Sequence, residues 1–353
     1  MDTVKNEVSA YLENILLLLL GILFLLFPLL FTTATTDPFS LSKQTLLAVV
    51  SLSALLLFAA KMVSDRTLRL RRTPFDLPVF LFLVFSLLSS FFAVNRYDSL
   101  TALVPLLLAI SAFYLLVNVV KNEASLLFLS SSLVIGATIA GLINFLSYFN
   151  VYVIPLQDAH FKTFNTFGSL LDQGLYLTFV LLVAGYFALP IFKSRDLSDI
   201  KGRVAGFAAA FVILAACLGL TIYELVAVQR PLLLPFETGF QTAFAAISQD
   251  AGRILQGFLL GSGFGTYLVD FSRFKQASYN LNPALWSFSF FRSTSFVLEL
   301  LATTGLLGLL SYFFIVFRVV RGEKVTVSHR TNPFYLSLLL VIIQLVRAGV
   351  CFV

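Results

Sequence analysis

Residues 261–314 read GSGFGTYLVDFSRFKQASYNLNPALWSFSFFRSTSFVLELLATTGLLGLLSYFF. The stretch ends in an apolar run, Thr294–Val320, long enough for a bilayer-crossing helix, which needs about 20 such residues. Before the run come a glycine-rich turn and a polar, aromatic loop with scattered basic side chains. Turn, loop and re-entering helix together make the candidate reaction surface. The rest of the chain reads as a membrane scaffold that holds this surface at one face.

Composition supports that division. Of 353 residues, 59% are apolar and 12% charged, against roughly 25% charged in a soluble domain. An integral membrane protein with the bilayer as partner is expected. The net charge of +6 sits in short connections between apolar runs, which fits the positive-inside rule and leaves no nucleic-acid patch. Cys217 lies within an apolar run and Cys351 at the chain end, so no disulfide framework or metal spacing is implied. The first apolar run, Ile15–Phe31, exceeds the core of a cleaved signal, and Asp2, Glu7 and Glu13 outweigh Lys5 ahead of it. It reads as a retained first span.

Nine runs approach spanning length: Asn14–Phe31, Gln44–Val63, Leu77–Val94, Leu100–Val120, Leu126–Phe149, Leu175–Phe192, Val204–Val228, Thr294–Val320 and Pro333–Val353. The fold expected is an all-α polytopic bundle forming one transmembrane domain over residues 1–353. With the N-terminus in the cytoplasm, Lys61, Arg66, Arg69, Arg71, Arg72, Lys121, Lys193, Arg195, Lys201, Arg203, Arg318, Arg321, Lys324 and Arg330 all fall inside. Only Lys43, Arg96 and Lys162 fall in short outer connections. Two longer loops, Asn150–Gly174 and Gln229–Ser293, are then outside.

The second loop, residues 229–293, far exceeds ordinary connections, and such loops tend to be functional or disordered. Pro231 and Pro235 stop the seventh span. Thr238-Gly-Phe-Gln241 has the form of a capping box, and Phe240, Phe244, Ile247, Ala251, Ile254, Leu255 and Phe258 follow at helical spacing. One amphipathic helix, lying at the membrane interface or packed on the bundle, is expected, ending at Gly257 and Gly261.

Several residues carry chemistry or an ordinary structural role. Gly261, Gly263 and Gly265 allow either a phosphate cradle of backbone N–H groups or a helix C-cap and turn; no βαβ unit surrounds them, so dinucleotide binding is excluded. Arg230, Arg253, Arg273, Lys275 and Arg292 form a cationic loop set, opposed by Glu237, Asp250 and Asp270, which suits a lipid diphosphate or is an ordinary solvated face or a contact with anionic headgroups. Glu299 lies inside the eighth span, where an ionisable group is costly and suggests function. If the helix extends back, Arg292, Ser295 and Glu299 share one face, as a base–cation pair or as a structural pair. Glu224, near the outer end of the seventh span, carries the same two readings with simple interfacial exposure favoured, and Arg347 marks a last span that is incomplete or packed against something missing. His160, in the first outer loop, is a candidate general base, while His329 lies in a cytoplasmic connection. No HExxH, CxxC, paired-carboxylate or Ser/His/Asp pattern supports zinc or acyl-enzyme chemistry.

Many spans, one long late outer loop, LLGSGFGTY at its centre and LELLATTGLLGLLSYFF after it resemble the O-antigen ligase and O-antigen polymerase family. The likeness is best over Leu234–Tyr312, with an echo at Phe164-Asn-Thr-Phe-Gly-Ser169. It implies a bundle of about ten to twelve helices that moves a glycan from a polyprenyl-diphosphate carrier to an acceptor hydroxyl. The reaction takes place at the outer face of the cytoplasmic membrane, without cofactor, metal or nucleotide sugar. The family's glycine turn falls on Gly261, Gly263 and Gly265, and its TGLxG end on Gly305 and Gly308. Its His-Asn pair falls on Thr294 and Ser295, and its upstream arginine region reads Phe236-Glu-Thr-Gly. The catalytic set expected is therefore Arg292, Glu299 and His160, with Arg273, Lys275, the glycine turn, Thr294 and Ser295 binding substrate. The chain ends inside an apolar run where relatives continue, so a truncated product is expected. A lipid-linked-glycan flippase and an inactive assembly protein are the rival readings.

Overall fold

The computed structural model describes residues 2–66, 70–193, 202–229, 234–249, 252–281 and 286–321. Among them the chain is helical and has no strand. The helices are α1 (Asp2–Leu26), α2 (Ser40–Asp65), α3 (Asp76–Phe91), α4 (Arg96–Val119), α5 (Glu123–Tyr148), α6 (Leu170–Lys193), α7 (Gly202–Tyr223), α8 (Phe236–Ser248), α9 (Ile254–Leu260), α10 (Tyr267–Phe274), α11 (Ala277–Leu281) and α12 (Phe296–Arg321). Helices are what apolar runs must form in a bilayer, because each backbone N–H and C=O then finds its partner inside the segment.

Among the described residues, seven segments are long and apolar enough to cross a membrane: Val8–Leu26, Ser40–Asp65, Arg96–Val119, Glu123–Tyr148, Leu170–Leu189, Val204–Val228 and Phe296–Arg321. The protein is a polytopic helical membrane protein. The run expected at Leu77–Val94 folds as α3, of 16 residues. At 1.5 Å per residue it reaches only about 24 Å, short of the hydrocarbon core. The run Pro333–Val353, with Arg347 and Cys351, lies outside the described residues, as do His329, Arg230 and Asp250.

The chain divides into two compact units, one of residues 1–71 and 108–230, the other of residues 72–107 and 231–330. In the first, α5, α6 and α7 pack through Ala137, Leu177, Val180, Ala184, Leu214 and Cys217. Leu16 and Leu20 of α1, Ala54 of α2, and Leu115, Val119 and Leu129 form a neighbouring cluster. Small residues let these helices approach: a Cβ on Gly136 would lie 3.1 Å from the Leu25 Cα. At one end of this cluster, Glu13 accepts from Lys121 at 2.9 Å and also pairs with Lys61, so α1, α2 and the α4–α5 connection share a charged end.

The second unit packs α3, α8, α9 and α10 around α12. Two expectations for the loop fail here. The expected single helix is two: α8 ends at Ser248 and α9 begins at Ile254, with Gly252 at φ 84° between them. The capping box does not form: α8 starts at Phe236 after Pro235, and no side chain caps it. The face of α8 that packs is the one lined by small residues. Phe240 and Phe244 are 50% and 53% exposed, whereas Gly239, Thr242, Ala243 and Ala246 are buried. In a membrane protein the aromatic stripe gains nothing by turning inward, since lipid is as apolar as the core. Small residues are what permit close helix packing.

Candidate functional site

The second unit is clasped at the glycine turn. Gly305 (φ 65°, ψ −165°) breaks the helical backbone inside α12 and so frees carbonyls one turn earlier. Ser262 N–H donates to the Ala302 carbonyl at 3.0 Å and Gly263 N–H to Thr303 at 2.9 Å. Ser89 Oγ of α3 donates to the same Thr303 carbonyl at 2.7 Å. The Ser262 carbonyl in turn accepts from Val94 N–H at 2.8 Å. These amides are bonded to protein, so they do not form a phosphate cradle. Gly261, Gly263 and Gly265 have φ of 71°, 132° and 75° and lie against Thr303–Thr304, Ala93 with Ser99, and Ala102 respectively. The glycines fix the frame that carries the polar groups.

Below the turn, α10 directs Tyr267, Asp270 and Phe271 inward. Ser262 Oγ donates to Asp270 Oδ2 at 2.5 Å. The Tyr267 hydroxyl is buried beside the hydroxyls of Thr242 on α8 and Ser293, yet none of the three completes a hydrogen bond of ordinary geometry. Burial pushes the Tyr267 phenol up to about 12, so it stays a neutral donor. Glu299, half-buried on α12, adjoins this cluster: its charge acts on Tyr267, the Ser293 N–H donates to it, and the Arg292 charge acts on it. Three hydroxyls, a carboxylate and a guanidinium thus meet where α8, α10 and α12 pack. Buried hydroxyls gain by facing one another in place of water, so Thr242, Tyr267 and Ser293 form one polar cluster beside Glu299.

A second feature of the same unit is cationic. Arg96, Arg253 and Arg273 line a pocket of about 400 Å³, together with Gln256 and the Phe92–Val94 backbone. Arg253 is held by donation from Nη2 to the Phe92 carbonyl, which Gln256 Nε2 also reaches at 3.2 Å. Arg96 and Arg273 are exposed at the rim. Arg273 sits six residues beyond Tyr267 on α10, a rise of about 9 Å, so one helix carries both features.

Several expected residues are placed differently. Helix α12 begins at Phe296, so Arg292 and Ser295 precede it and do not share a helical face with Glu299; the loop nevertheless leaves Arg292 near the carboxylate. The expected diphosphate set of Arg273, Lys275 and Arg292 is split. Only Arg273 lines the pocket, while Lys275 lies over Tyr279 and Phe271, 5.6 and 6.0 Å from the ring centroids. Thr294 Oγ donates to the Leu234 and Pro235 carbonyls at 3.1 and 3.2 Å, tying α12 to the start of α8, and Ser295 is buried. His160 belongs to the first unit, exposed, with Nε2 3.1 Å from the Ile154 carbonyl and its ring stacked on Tyr152. Sequence reasoning missed Arg96, counted only as an outer charge, and the hydroxyls of Thr242, Tyr267 and Ser293. Glu224, read as interfacial, is fully buried.

No protein-family profile matches the chain, and comparison with curated proteins and with solved structures returns no significant similarity.

Proposed function

We propose that the chain is a membrane glycan transferase of the O-antigen ligase and polymerase kind. It would take a polyprenyl-diphosphate-linked glycan as donor and a glycan or lipid hydroxyl as acceptor. The observation that carries this reading is the convergence of Arg96, Arg253 and Arg273 on one pocket. A diphosphate diester bears two charges, and planar guanidinium forks match its oxygens. In the transfer step the bond between the anomeric carbon and the diphosphate oxygen breaks, and the acceptor oxygen bonds that carbon. The arginines stabilise the charge developing on the departing carrier. Glu299 takes the proton from the acceptor hydroxyl, Arg292 holds the carboxylate in place, and Thr242, Tyr267 and Ser293 orient sugar hydroxyls. No role falls to His160. The topology belonging to this reading has nine spans, the short α3 counted among them by local thinning of the bilayer, with a cytoplasmic N-terminus and the 229–293 loop outside the cytoplasmic membrane.

The test is reconstitution in proteoliposomes with lipid-linked oligosaccharide and acceptor. Transfer product is expected. Arg96→Gln and Arg273→Gln should each weaken donor binding about tenfold, the loss of one charged hydrogen bond. Movement of the lipid-linked glycan across the bilayer without product would replace the transferase with a flippase. Neither product nor movement would leave an assembly protein.

A further inference from the structure

In the first unit a buried polar node joins α5, α6 and α7. Asn144 Nδ2 donates to Glu224 Oε2 at 3.0 Å and to the Phe164 carbonyl at 3.2 Å. Gln173 Nε2 donates to Asn144 Oδ1 at 3.1 Å and to Thr221 Oγ at 3.3 Å. Thr221 Oγ donates to the Cys217 carbonyl at 2.9 Å. Asn144, Gln173, Thr221 and Glu224 are each fully buried, inside a shell of apolar packing.

Counting protons decides what the node is for. The two amide groups and one hydroxyl carry five polar hydrogens; four amide donations and one hydroxyl donation use them all. Two oxygens remain without a donor, Glu224 Oε1 and Gln173 Oε1. Both only accept when the carboxyl is ionised, and the group that meets the carboxylate is an amide, not a lysine or arginine. A buried carboxylate met only by a neutral dipole is costly inside a membrane bundle. What the node lacks is one positive charge that oxygens can surround.

The local backbone agrees. Glu224–Val228 forms a π-helical turn continuing α7, an insertion that recurs at functional sites. The Phe164–Thr166 turn, buried over the node, is fixed by Lys43 Nζ donating to the Thr166 carbonyl at 2.6 Å and by Thr166 Oγ donating to Pro28 at 2.6 Å.

We propose that Glu224, Gln173, Asn144 and Thr221 form a binding site for a monovalent cation of sodium size. Glu224 supplies the single negative charge, and the amide and hydroxyl oxygens supply neutral ligands. One carboxylate is too little charge for calcium, and an enclosure this complete leaves no room for the several waters magnesium keeps. The site is independent of the transferase reading, since its residues all lie in the first unit.

The test measures thermal unfolding of the full chain in nanodiscs at pH 8, in sodium chloride, potassium chloride and choline chloride at equal ionic strength. A saturable, sodium-selective rise in Tm is expected, together with saturable binding of radioactive sodium to the unaltered protein. Glu224→Gln preserves acceptance from Asn144 but removes the charge, and should abolish both signals; Gln173→Leu should weaken sodium binding at least tenfold. If a variant fails to fold, radioactive sodium binding to the unaltered protein decides alone. A Tm that follows pH but not the identity of the cation would mean a proton on Glu224 and overturn the site. A Tm indifferent to both would make the node purely structural and overturn it equally.

Discussion

Gly261 and Gly305 meet backbone to backbone: a Cβ on Gly305 would stand 2.6 Å from Gly261 N, and one on Gly261 would stand 2.6 Å from Thr304 N. Both have positive φ, so an alanine would suffer conformational strain and collide with main chain that cannot yield. Gly261→Ala and Gly305→Ala should each cost about 2–4 kcal/mol, summing the left-handed penalty and overpacking. Gly219, which has no neighbour within 4 Å of its Cβ position, is the control. Thermal unfolding of the three variants checks this; equal Tm values would mean that the turn is not a clasp.

Glu299 and Thr294 should separate chemistry from stability. Glu299→Gln keeps the side-chain shape but cannot accept the acceptor proton, so turnover should drop by roughly 10²–10⁴ while donor binding stays. Thr294→Val loses the hydroxyl that reaches Leu234 and Pro235. It should cost about 1 kcal/mol of stability and leave the donor affinity of the folded fraction unchanged. Transfer kinetics, donor titration and melting on the same preparations distinguish the two. A Glu299→Gln variant with normal turnover would remove the assigned base.

The charged end of α1 has an unequal pair of lysines. The Lys61 side chain is 10% exposed and the Lys121 side chain 54%, so Lys121→Ala should cost at most about 1 kcal/mol. Glu13→Ala strands the buried Lys61 and should cost roughly 3 kcal/mol. The hydrogen bond from Lys121 to Glu13 holds the Lys121 ammonium above its ordinary value. A raised value means the folded state favours the charged form. Its small contribution is therefore complete below the usual lysine range near 10.4 and is lost as pH rises through the raised value. Alkaline melts of the parent and Lys121→Ala should converge; parallel curves would contradict the pairing.

The aromatic stripe of α8 should meet lipid. Phe236, Phe240 and Phe244 stack with centroid spacings of 6.5 and 6.3 Å on an exposed face. Phe240→Ser should change stability by less than about 0.5 kcal/mol, as for other exposed sites, and yet reduce labelling of α8 by a photoactivatable lipid. Ala243→Phe, on the buried face, should instead destabilise by about 1–3 kcal/mol through overpacking. The reverse ranking would place the stripe against protein.

What was legible in the sequence follows from where the information is local. An apolar run declares a membrane helix by itself, and Glu299 declared itself by lying in one. The loop helix shows in its spacing, but periodicity says only that two faces differ, so it takes the tertiary structure to show that the small-residue face is the one that packs. The end of α8 at Ser248 has a local signal in Gly252, but the apolar spacing runs on past it and carries the stronger pattern. Glu224 looked interfacial because its partners, Asn144 and Gln173, lie on two other helices.

The sequence by itself determined the helical membrane class, seven of the spans and the glycine turn, since the bilayer imposes one rule on every run it admits: hide the backbone polar groups within the segment. Only the tertiary structure decided that those glycines grip the kink in α12, that Arg96 joins Arg253 and Arg273, and that Glu224 is enclosed. Each of these depends on residues far apart in the chain being brought together, and no local pattern of polarity carries that distance.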